Sequence, residues 1–382
     1  MQFSKILGQE HIKNHLIKSA SAGRIPHAQL FVGPEGSGTL ATAIAYTQYI
    51  LCNNTGNENS GGNAACNLKF DHISHPDLHF IYPTVTNESV KSKPKSIDFI
   101  ADWREFVKTS PYGGLFDWYN FLGVQNKQGE IRVDDAQEIL KSFSLKSYEG
   151  GYKVMIIWMA DKINIAASNK LLKLLEEPQD KTLFILISEN EEDIIQTIRS
   201  RCQVLHFNGL SEQIIADALV SRENVDIKTA TKIAHQAQGN FNKALHLIRQ
   251  DGDEHPFEEW FVAWVRAAFR AKGNAAAISD LIQWSEQIAA LGREAQKKFL
   301  QFCIEMFRQA LLLNYKTESL VYMEPKVEKF KLENFAPFVN GNNINDIFKE
   351  LSDAMYHIER NGNAKIILTD LSIKLTRLIH KK

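Results

Sequence analysis

Cysteine is scarce here: Cys52, Cys66, Cys202 and Cys303 are the four in a chain of 382 residues. So few scattered thiols make no disulfide framework and suit a reducing compartment, and Cys52 and Cys66 are expected to be free thiols. Long apolar runs are missing too. None approaches the roughly 20 residues of a membrane-spanning helix, and the opening Met1-Gln2-Phe3-Ser4-Lys5 lacks the layout of a secretory signal. The expectation is a cytoplasmic protein. An excess of either charge is also absent, the formal net charge being −1. Contact with nucleic acid would therefore depend on a local patch or on partners, and no dense basic stripe marks such a patch. What is present is ordinary for a globular protein, with 44% hydrophobic and 23% charged residues, and the length suits two or three domains.

Apolar periodicity predicts a helix over 3–23, a buried strand ending in Leu30-Phe31-Val32 and a helix over Ala41–Leu51. Asn53–Asn63 reads as a loop and His79–Tyr82 as a second strand. Residues 83–130 read as an insertion with some structure of its own, its aromatics Trp103, Trp118 and Tyr119 forming a satellite core rather than a base-stacking platform. Asp134 or Asp135 is the expected N-cap of a helix reaching about Leu145. Strands follow at Val154–Trp158, Thr182–Ser188 and Val204–Phe207, alternating with helices at about 163–177 and 191–199. That alternation implies a parallel α/β sheet. After Phe207 only helical patterns remain: three short helices to Arg249, then long amphipathic ones. Phe299, Phe302, Cys303, Met306, Phe307 and Ala310 fall on one face and predict a buried seam.

Gly33-Pro34-Glu35-Gly36-Ser37-Gly38-Thr39-Leu40 lies between a strand and a helix, where a phosphate-binding loop would read G-x-x-x-x-G-K-[S/T]. In such a loop Lys meets the β/γ-phosphates and Ser/Thr holds Mg²⁺. Thr39 stands for the Lys and Leu40 for the Mg²⁺ ligand. Gly33, Gly36 and Gly38 stay in register, so a backbone cradle for a stray phosphate or sulfate is expected to survive. At the end of Lys153–Ile157, where an ATPase of this architecture carries acids for Mg²⁺ and water, the chain reads Trp158-Met159. Two independent losses at one site predict no hydrolysis and no nucleotide cofactor.

Phe3 with Gly8-Gln9-Glu10, Arg24-Ile25-Pro26-His27-Ala28-Gln29-Leu30-Phe31, His75-Pro76-Asp77, Leu171-Leu172-Lys173-Leu174-Leu175-Glu176-Glu177-Pro178 and Ser200-Arg201-Cys202 resemble the bacterial clamp-loader family of the AAA+ class, most closely its δ′ branch. The likeness covers about residues 1–82 and 131–250, and more loosely the C-terminal helices. It implies a degenerate AAA+ α/β domain over 1–208, a small helical lid domain over 209–252 and a helical collar domain for oligomerisation over 253–382. It also implies a non-hydrolysing stator that lends Arg201, in trans, to ATP on a neighbouring subunit. A guanidinium suits that task, being planar and always charged; Arg199 is read as helix-end charge. Implied partners are γ/τ and δ clamp-loader subunits in a hetero-oligomer and, indirectly, the sliding clamp and primer–template DNA. In the G-x-x-R-x-A-L-like lid segment Asn242 stands at the family's arginine position, with Lys243 adjacent. Relatives also carry a four-cysteine zinc site, of which only Cys52 and Cys66 match; His72 and His75 do not follow the spacing, so no metal is expected. Rival readings are an active γ/τ-like ATPase and an AAA+-fold scaffold in repair.

Overall fold

The computed structural model describes residues 1–53, 62–124, 127–149, 151–249, 254–323 and 325–381. They form two compact units, Met1–Val124 with Gly129–Arg249, and Gln125–Gln128 with Gln250–Lys382. The boundary expected near 252 and most of the loop expected at 53–63 lie outside the described residues.

The first unit runs α1 (Glu10–Ser21), β1 (Ala28–Val32), α2 (Thr39–Leu51), α3 (Ala64–Asp71), β2 (Leu78–Ile81), α4 (Ile100–Thr109) and α5 (Leu115–Phe121). It continues with α6 (Val133–Ser144), β3 (Lys153–Ile157), α7 (Ile165–Glu176), β4 (Thr182–Ser188), α8 (Gln196–Arg199) and β5 (Gln203–His206). Three more helices complete it: α9 (Glu212–Glu223), α10 (Ile227–Ala237) and α11 (Phe241–Arg249). The five strands form one parallel sheet in the order β2-β3-β4-β1-β5, so the expected α/β class holds. β4 is buried along its whole length, which explains a continuous apolar run in place of alternation. Side chains of one face, among them Phe31, Ile156 and Ile185, join α1, α2, the insertion and α9–α11 in one core. Those of the other, among them Leu30, Met155 and Leu186, pack on α6 and α7.

Local readings need four corrections, the first being that the helix expected over 191–199 is a 3₁₀ turn at Glu191–Asp193 followed by the four-residue α8. The helix expected over 3–23 is broken: a short 3₁₀ turn spans Phe3–Lys5, and α1 begins only at Glu10. Gly8 and Gln9 take left-handed backbone angles between them (φ 56° and 59°), which no continuing helix tolerates. The cap of α6 is Arg132, not Asp134 or Asp135; Asp135 sits at the third helical position and accepts the Arg132 N–H from there. Its other oxygen accepts the Ser96 N–H at 2.7 Å, and burial raises the pKa of this carboxyl. The insertion's aromatics form no satellite. Trp103 and Trp118 are fully buried in the main core of the first unit, with Trp103 stacked on Tyr82 at 4.0 Å between ring centres.

The second unit is helical: α12 (Glu254–Arg270), α13 (Ala275–Ala289), α14 (Arg293–Asn314), α15 (Leu332–Phe335), α16 (Ile344–Glu359) and α17 (Ala364–Leu378). The expected seam on α14 is buried, with Phe299, Cys303, Met306, Phe307 and Ala310 all fully enclosed. Trp264 of α12 stacks on Trp284 of α13 at 4.8 Å and donates its indole N–H to Ser372 of α17 at 2.9 Å.

Candidate functional site: a filled nucleotide pocket and an outward arginine

In an open parallel sheet, ligands gather at the carboxyl ends of the strands. The loop Gly33–Leu40 lies there, between β1 and α2. Gly36 and Gly38 have positive φ (75° and 90°), so the turn of a phosphate loop is kept. Its side chains differ from the motif. Thr39 opens α2, Leu40 is buried, and so are Trp158 and Met159 at the end of β3. Leu40 and Trp158 have joined the apolar core, Trp158 lying 5.1 Å from Trp103 and 6.0 Å from Phe106, ring centre to ring centre. Leu40 and Trp158, at the positions where the motif would have a metal ligand and an acid, thus share a core with the insertion.

The insertion also enters the pocket. Pro111-Tyr112-Gly113-Gly114, between α4 and α5, lines it opposite the loop. A Cβ on Gly38 would come within 2.8 Å of the Tyr112 ring, and one on Gly114 would strike the Glu35 carboxylate. What remains is a cavity of about 20 Å³, room for about one water, where ligand pockets hold roughly 300–1,000 Å³. The insertion thus narrows the space that the loop encloses. The Ser37 hydroxyl, fully buried beneath, has no protein hydrogen-bond partner.

Asn242, where the resemblance leads us to expect an arginine, is buried and faces two carboxylates. Its Nδ2 donates to Glu35 Oε1 at 3.0 Å and to Asp117 Oδ2 at 2.8 Å. One neutral amide thus joins the loop, the insertion and α11. Gln9, unremarked in the sequence, ties α1 to the same place by donating to the carbonyls of Ser37 (3.1 Å) and Asn208 (2.6 Å).

Arg201 lies elsewhere. It lies two residues before β5, whose Gln203 pairs with Gln29, whereas Gly33 follows Val32, which pairs with His206. In parallel strands the two sit at opposite sheet ends, on the order of 20 Å apart at ~3.3 Å per residue. Arg201 cannot serve its own loop. Its side chain is 35% exposed and paired with Glu176 Oε1 at 2.5 Å, while Nη1 donates to the Thr197 carbonyl at 2.8 Å. Arg199 points to Glu191, 3.7 Å away.

The profile of the family described as "DNA polymerase III, delta subunit" matches residues 8–211, more than half of the chain. The chain belongs to that family. Among its curated relatives, DNA polymerase III subunit delta′ of Bacillus subtilis (strain 168) is 28% identical over 243 residues, 64% of this chain and 60% of that protein. DNA polymerase III subunit tau of the same organism is 26% identical over 367 residues, 92% of this chain and 54% of the relative. The match thus spans little more than half of either relative. A DNA polymerase III gamma subunit-related protein from Thermotoga maritima superposes with a TM-score of 0.37 at 14% identity, covering 97% of this chain and 99% of that one.

This delta-family chain also departs from the expectation for its cysteines. Cys52, at the end of α2, and Cys66, in the first turn of α3, form a disulfide. The fold brings the Cα atoms to 5.4 Å, within bonding range, although 14 residues separate them in sequence; spacing gave no sign of it. His75 and Glu149 lie beside Cys66. With both sulfurs bonded to each other, neither is a thiolate ligand. His75 is buried, accepts the Asp77 N–H at Nδ1 (3.1 Å) and faces Glu149 at Nε2 (3.2 Å), and burial lowers its pKa. No helix among the described residues is long and apolar enough to cross a membrane.

Proposed function

We propose that this chain is a non-hydrolysing, δ′-like subunit of a replicative clamp loader, acting as a stator that lends Arg201 to ATP held by a neighbouring γ/τ-type subunit. The observation that carries the reading is the division of the first unit's two ends. At one end of the sheet the insertion's Pro111–Gly114 narrows the loop's pocket to about 20 Å³; towards the other lies Arg201, which we assign as the finger, paired with Glu176. Membership of the family supports the subunit assignment. An active ATPase of γ/τ type is disfavoured by Thr39, Leu40, Trp158, Met159 and Asn242 and by a cavity of about 20 Å³.

Magnitudes favour a trans role. Exposed ion pairs contribute about 0–1 kcal/mol, so releasing Arg201 from Glu176 costs little. An arginine finger contributes roughly 10³–10⁵ in rate, far more than the parking contact opposes. In this proposal residues 1–208 carry the finger, 209–252 form the lid domain and 253–382 join the subunits in a collar. DNA would be met through the assembly, in keeping with a net charge of −1. Assembly is the experiment: the tagged chain is mixed with γ/τ and δ subunits from the same source, and retention of both, with clamp loading on primed DNA, is expected. Loading that proceeds equally well without this chain refutes the assignment and would leave a scaffold outside replication.

A further inference from the structure

We propose that the 96–121 segment is a permanent internal occupant of the nucleotide pocket, which ties the helices α9–α11 to the sheet as a bound ligand would. This goes beyond the loss of hydrolysis: a subunit with a merely broken loop would have a lid free to drift. Here three contacts span the gap. Tyr112 is wedged between elements, its hydroxyl accepting the Leu7 N–H at 2.9 Å and its ring lying edge-on to Phe241 of α11 at 5.1 Å. Asp117 is the second. Its Oδ1 meets His246 Nε2 at 2.8 Å, and its Oδ2 accepts both the Asn242 amide (2.8 Å) and the Gly114 N–H (2.7 Å). Glu35 is the third, accepting from Asn242 at 3.0 Å and from Asn240 at 3.4 Å. Two carboxylates, one from the loop and one from the insertion, thus face polar groups of α11 and the turn before it. The neutral Asn242 amide bridges the two carboxylates, and Asp117 is held in addition by the Gly114 N–H and His246.

Trp158 anchors the strut at its base through Trp103 and Phe106. On this view the loss of the strand-end acid and the presence of the insertion are one change: the segment needs an apolar seat where the acid would be. Asp117, Tyr112 and Glu35 are positioning residues for α9–α11; none of them touches substrate.

The test is hydrogen–deuterium exchange on the full chain, comparing amides of α9–α11 with those of β1 and β4. Asp117→Asn removes the negative charge while preserving shape, and Tyr112→Ala removes the wedge. We expect exchange in α9–α11 to rise at least tenfold in each, with β1 and β4 unchanged. Exchange that stays at the wild-type level in α9–α11, or that rises equally throughout the first unit in both variants, overturns the inference. Neither outcome depends on Arg201 or on any partner, so this result and that of the proposed function stand or fall separately.

Discussion

His79 is a single side chain with a measurable consequence. Its Nε2 is buried without a partner beside Phe143, and burial, with the Lys153 charge adding, lowers its pKa to about 4. In the unfolded chain it returns to about 6.5. Between those values the unfolded chain takes up a proton that the folded one refuses, so stability present above about pH 6.5 is lost as pH falls towards 4, by about 3 kcal/mol from this group. His79→Phe should flatten that part of the curve, measured by urea unfolding across the range; equal slopes in the two proteins would contradict the assignment. Other residues were easier to read. Thr39, Leu40, Trp158 and Met159 stood out as departures because a motif prescribes the residue at each place. Their packing did not show, since Trp103, Phe106 and Tyr112 are distant in sequence and only the fold brings them near. Asn242 was legible as a missing arginine and illegible as a bridge between Glu35 and Asp117.

Elements divide in the same way. The strands were readable because a parallel sheet covered on both faces needs unbroken apolar runs, and β3 and β4 supply them. The insertion was not, because aromatics without a clear period can seal a private core or extend a common one. Here they extend the common one, so Trp103→Ala should destabilise the first unit by about 3–5 kcal/mol, the usual cost of a large core aromatic, seen as a shift in the urea midpoint. A loss within 1 kcal/mol would mean the insertion packs alone. The Cys52–Cys66 bond joins the end of α2 to α3 across 14 residues, and closing a loop of about that length stabilises by about 3 kcal/mol in the chain-entropy account. Reductant should lower the melting temperature of the wild type and leave a Cys52→Ser/Cys66→Ser variant unaffected. Quantitative alkylation of all four cysteines in the unreduced, denatured protein would show that the bond is absent.

For the molecule as a whole, a filled pocket predicts silence towards nucleotide. A ligand at 100 times its Kd would stabilise the folded state by about 2.7 kcal/mol, a readily visible shift in melting temperature. Millimolar Mg–ATP is expected to produce none, and a clear rise would reopen the ATPase reading. The account rests most heavily on Arg201 acting on another subunit's nucleotide. The direct measurement is DNA-dependent hydrolysis at the one γ/τ site facing this chain, with the other sites of the assembled loader disabled, comparing wild type with Arg201→Ala. Hydrolysis at that site should fall on the order of 10³-fold while the complex still assembles; an assembled complex that hydrolyses ATP there at the wild-type rate would contradict it.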